Sequence, residues 1–104
     1  MELSKKNSMQ KFELSCYIQK EAISQLQFSK TEVLSDINAK KTRSNALTRA
    51  LQLGNLLKNK VNIYFKDVEN NLMRVNTTIW GLTTDAVILK QGIIIPRNRV
   101  VFID

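Results

Sequence analysis

The apolar residues of this chain change period at Lys60. No proline or glycine interrupts Met9 to Gly54, and apolar positions there recur every three or four residues. Beyond Lys60, Val61, Ile63 and Phe65 alternate with Asn62, Tyr64 and Lys66. The first spacing lines up side chains on one face of a helix, and the second on one face of a strand. The chain therefore divides into an expected helical region, 1–58, and an expected small β domain, 59–104.

Ser8 is placed to cap the first helix. Phe12, Cys16, Gln19, Ile23, Leu26, Lys30, Val33 and Ile37 then fall at alternating spacings of four and three, a heptad-like seam with polar breaks at Gln19 and Lys30. A helix over 9–37 would be about 40 Å long at 1.5 Å per residue. Its apolar seam of Phe12, Ile23, Leu26, Val33 and Ile37 needs a partner: a second helix, the β domain or another chain. The second helix is predicted from Thr42 or Ser44 to Gly54, or as far as Lys58, with Gly54-Asn55 as a left-handed C-cap. An α-helical hairpin is the first reading of this region, and one long bent helix is the alternative.

The β region reads as VNIYFKD, then the long LMRVNTTIWGLT, then AVILKQGIII and PRNRVVFID. The apolar parity of the long segment slips near Trp80-Gly81, which predicts a bulge or bend there. Trp80 itself is expected to pack against the helices. Gln91-Gly92 signals a tight hairpin turn. Five short strands in this order resemble the small SH3-like and Sm-like barrels. The resemblance covers less than half of the chain. The V-x-I-x-F, T-T-x-W, L-K-x-G and I-P elements are also similar to those of short bacterial proteins with a helical N-terminus. The expected fold is thus α+β: the helical hairpin followed by a five-stranded antiparallel SH3-like or Sm-like small barrel.

Charge is unevenly placed. Residues 1–38 carry five Lys against five acids, whereas residues 39–104 carry eleven Lys or Arg against Asp67, Glu69, Asp85 and Asp104, so the whole excess of +7 lies after residue 38. Segregated positive charge suits a polyanionic or acidic partner better than it suits solubility alone. From Lys40 to Lys66 there are seven Lys or Arg and no carboxylate.

Other chemistry finds little support. The chain has no histidine and one cysteine, so Cys/His zinc sites within one chain are excluded and the commonest general base is absent. Cys16 lies on the seam and reads as structural. Asp67 and Glu69, beside Asn70-Asn71, read as solvent-facing loop residues. No phosphate loop, dinucleotide fingerprint or nucleophile elbow occurs. No enzyme, cofactor or metal is expected. No apolar run approaches the roughly 18 residues of a membrane span. MELSKKNSMQ lacks a signal-peptide core, and a single cysteine fits a reducing compartment, so a cytoplasmic location is expected.

Two functions follow from the residues. The first is a non-enzymatic nucleic-acid-associated module that binds RNA or a ribonucleoprotein through phosphate contacts with little sequence specificity. Lys40, Lys41, Arg43, Arg49, Lys58 and Lys60 would supply the contacts. The likeness to Sm-like barrels implies further contacts from Arg97 and Arg99, and Tyr64, alternating away from the core, is placed to stack on a base. The second is a protein-interaction or scaffolding module that dimerises, or docks to an acidic protein, through the seam of the first helix.

Overall fold

A computed structural model describes residues 15–104, in the order β1 (Cys16–Tyr17), α1 (Lys20–Ile23), α2 (Ile37–Leu57), β2 (Val61–Lys66), β3 (Leu72–Thr77), β4 (Ile79–Leu82), β5 (Ala86–Leu89), β6 (Ile94–Pro96) and β7 (Val100–Ile103). The structure is mixed α+β, with one long helix and two sheets. No described helix is long and apolar enough to cross a membrane.

The helical hairpin is not present among the described residues. Between Ser15 and Asp36 only the four residues of α1 are helical. Side chains here bind the local backbone instead. Ser29 Oγ accepts from Thr31 N at 3.1 Å, Glu32 Oε2 accepts from Leu34 N at 3.0 Å, and Ser24 Oγ donates to Glu21 O at 3.1 Å. Such bonds compete with helix. Ile23, at the end of α1, lies fully in the core, and Leu26 and Phe28 on the irregular chain after it pack against that core, so the Ile23–Leu26 part of the seam is buried within its own molecule. Val33 is half-buried, and Ile37, on the first turn of α2, is exposed. Phe12 lies outside the described residues.

The long helix lies later than expected. Asp36 caps α2, its side chain accepting from Ala39 N at 3.3 Å. Arg43, Leu47, Ala50 and Gly54 form its buried stripe. The helix runs past Gly54 to Leu57, and the left-handed cap is Lys58, φ 56°, whose N–H donates to Gly54 O. Gly54 therefore serves close packing rather than chain reversal. A Cβ there would lie 2.9 Å from both Ile79 O and Thr78 Cγ2.

The strands match the sequence pattern closely. Sheet one has the order β1-β3-β2-β7 and sheet two the order β4-β5-β6. The expected long second strand is cut at Thr78 into β3 and β4, and its register slips between Ile79 and Gly81 at the predicted bend. The slip turns Trp80 outward at 52% exposure, so it does not pack against α2 as expected. Positive φ at Gln91 (69°) and Gly92 (79°) turns β5 into β6. The strands form two separate ladders, and no ladder among the described residues closes them into a five-stranded barrel. Between the sheets and α2 lies one core, including Ile23, Leu47, Ile63, Phe65, Val75, Ile79, Leu89 and Val100.

Gly54→Ala separates two effects. Helix propensity alone favours alanine by about 1 kcal/mol. The clash with the Ile79 carbonyl is expected to outweigh this and destabilise the fold by about 1–3 kcal/mol in urea unfolding. A more stable variant would show that α2 does not approach β4 this closely.

Candidate nucleic-acid interface

Two of the nominated arginines are structural. Arg43 is 8% exposed and holds Glu32 with both terminal nitrogens, Nη1 to Oε2 and Nη2 to Oε1, each at 2.7 Å. Its Nη1 also donates to Val100 O at 3.0 Å. Arg99 is 1% exposed and donates to Thr31 O (2.7 Å), Lys66 O (3.2 Å), Asp67 O (2.7 Å) and Asn70 Oδ1 (2.6 Å). Neither guanidinium is presented to a phosphate. Both pin the irregular segment before α2 to the sheets, because a packed segment without a ladder must satisfy its carbonyls another way.

The acids nearby are likewise occupied. Burial alone would raise the Glu32 carboxyl. Hydrogen bonds from Arg43 and Leu34 N, with the charges of Arg43 and Lys40, hold it below its ordinary 4.5. Burial also acts to raise Asp67. Bonds from the backbone and side chain of Asn71 and from Glu69 N, with the charge on Arg99, hold it below its ordinary 3.8. Asp67, 7% exposed, thus locks the β2–β3 turn from within and is not the solvent-facing loop residue expected.

Arg97 is half-buried, donating to Thr83 O at 2.8 Å and Ser44 Oγ at 3.2 Å. It lines a groove of ≈ 740 Å³ with Lys30, Asp85 and the Arg43–Glu32 pair. The mixed charge there suits a polyanion poorly. Tyr64 is 5% exposed, with its ring centroid 5.7 Å from that of Phe102. It registers between Arg74 on β3 and Phe102 on β7, so it is not an exposed stacking platform. Among the described residues the exposed aromatics are instead Tyr17, Trp80 and Phe102.

Lys41, Arg49, Lys58 and Lys60 are exposed, and Lys40 is partly so. Between them the exposed positions of α2 include Thr42, Asn45, Thr48, Gln52 and Asn55, all polar and uncharged. No carboxylate occurs in the 21 residues of this helix. Near its start, Ile37, Lys40, Lys41, Ser44 and Asn45 line a shallow depression of ≈ 400 Å³. Lys41 and Arg49 are about 12 Å apart along the axis. Lys41 and Arg49 lie about 80° apart around the axis on the exposed side of α2, while Lys58 caps its end and Lys60 lies beyond it, so the cations are spread out and form no dense cluster. No known protein family, curated protein or solved structure matches the chain.

The structural role of Arg99 has a direct check. Lysine keeps the charge but cannot reach four acceptors from one planar fork. Arg99→Lys is expected to cost on the order of 3 kcal/mol of folding stability. Unchanged stability on thermal unfolding would contradict the pinning role.

Proposed function

We propose that the chain is a non-enzymatic nucleic-acid-associated module that binds phosphates along the exposed face of α2, with RNA favoured and little sequence specificity. The observation that carries this reading is a 21-residue helix without a carboxylate, whose exposed positions hold cations and neutral polar groups between Ile37 at its start and Leu56 and Leu57 at its end. Lys41, Arg49, Lys58 and Lys60 are the contacts, with Lys40 beside them. Lys40 and Lys41 lie near the N-terminal end of α2, where the helix dipole disfavours cations. That placement costs the helix some stability and makes its start attractive to anions. Arg43, Arg99 and Tyr64 drop out of the contact set because each is buried. The preference for RNA rests on the likeness to Sm-like barrels, supported here by the strand divided at Thr78 and the short helical turn Arg97–Arg99 before β7.

Four contacts to single-stranded RNA predict a slope of log affinity against log salt of about −3. Lys41→Ala with Arg49→Ala should flatten it to about −1.5. Fluorescence anisotropy at several salt concentrations reads both. A salt-independent affinity would end this reading.

A protein-interaction role is supported by a separate observation. Leu56 and Leu57 are 80% and 64% exposed on the last turn of α2. We propose this pair, rather than the seam, as the contact for self-association or an acidic partner. Light scattering should then show a dimer that Leu56→Asp with Leu57→Asp dissociates, and a monomeric parent protein removes self-association.

A further inference from the structure

A second positively charged site lies at the break between β3 and β4. Lys20 at the start of α1, Lys60 just before β2 and Lys90 just after β5 come from three distant parts of the chain and line one cavity of ≈ 190 Å³. Thr77 and Thr78 line it as well, at 4% and 8% exposure. The buried side-chain atoms left without a hydrogen-bond partner among the described residues are Arg43 Nε and Arg74 Nε, so neither threonine hydroxyl is a buried orphan. The methyl of Thr78 faces Gly54 on α2, which leaves its hydroxyl on another side.

The charges around the cavity do not cancel. Glu21 also lines the cavity, and its carboxylate is held by Lys20 at 2.6 Å, which leaves the surplus charge to Lys60 and Lys90. Lys60 and Lys90 have no carboxylate within 4.0 Å among the described residues. Two free ammonium groups and two hydroxyl donors around a small cavity match a tetrahedral dianion, which has an acceptor for each. A carboxylate offers fewer acceptors and less charge. Tyr17, at the rim, is 53% exposed, with the Arg74 guanidinium 5.5 Å from its ring centroid. A base attached to the phosphate would meet that ring.

We propose that this cavity binds a single phosphate group, with Lys60 and Lys90 supplying the charge and Thr77 and Thr78 the hydroxyl donors. The site does not require nucleic acid to run along α2, since only Lys60 is common to both.

Titration with inorganic phosphate, against chloride at equal ionic strength, tests it. Amide resonances of Thr77, Thr78 and Lys90 should shift saturably. Lys60→Ala with Lys90→Ala changes only exposed side chains, and should weaken binding at least about tenfold while the circular dichroism spectrum is retained. Thr77→Val should weaken it too. Shifts that stay linear in phosphate and spread over Lys41 and Arg49, or that persist in the double variant, overturn the site. Terminally phosphorylated and unphosphorylated oligonucleotides then identify the source. Tighter binding of the phosphorylated form by about tenfold assigns a nucleic-acid end, and equal binding, with inorganic phosphate still saturating, assigns a free phosphate or small ester. Saturable phosphate binding without salt-dependent RNA affinity keeps this site and removes the α2 reading.

Discussion

Arg99 is almost wholly withdrawn from water, yet no carboxylate bonds it directly. Three backbone carbonyls and one amide oxygen take its place. Burying a cation this way is tolerable only if its donors find acceptors, and here they do. The acceptors belong to three regions: Thr31 in the segment before α2, Lys66 and Asp67 at the end of β2, and Asn70 in the turn that follows. One planar side chain on the short turn before β7 thereby fixes the segment and the turn to the sheet. Asp67 completes the arrangement by accepting from the N–H groups of Glu69 and Asn71.

The Arg43–Glu32 pair repeats this on the other side of the irregular segment, joining it to α2 and, through Val100 O, to β7. The backbone adds Val68 N to Gln27 O at 2.8 Å and Val33 N to Asn98 O at 2.9 Å. Residues 24–36 are therefore held by side-chain forks and isolated backbone bonds where a helix or ladder would use its own repeating set. That leaves Ile23, Leu26 and Phe28 free to reach the core at angles a straight helix would forbid.

Apart from the exposed Arg49 and the half-buried Arg97 and Arg74, the basic residues divide by chemistry. Arg43 and Arg99 carry five donors in a rigid fork and are used inside, where several acceptors must be met at once. Lys41, Lys58, Lys60 and Lys90 are exposed. Their ammonium groups are strongly hydrated point charges on flexible stems, suited to phosphates whose position varies. Formal charge in the sequence therefore overstates what the surface presents. The α2 face depends on Gly54, because the absence of a Cβ lets the helix settle onto β4 with its uncharged and cationic side outward.

The β half was legible from the residues alone. A strand at Val61–Lys66, the parity slip at Trp80 and the Gln91-Gly92 turn each depend on near neighbours and appear where they were expected, but the strand is not half-buried by alternation, since Ile63, Tyr64 and Phe65 are all buried. The segment before α2 was not legible. Its seam spacing is compatible with helix, but local serine and glutamate bonds and the reach of Ile23 into the core decide against it. The fates of Arg43, Arg99 and Tyr64 were equally hidden, since their acceptors and ring neighbours lie far off in the sequence. The sequence by itself determined strand periodicity, turn chemistry and the surplus of positive charge, which are properties of short stretches. Only the tertiary structure decided which cations are consumed by distant acceptors and which face solvent, because hydrogen-bond satisfaction belongs to the packed chain as a whole.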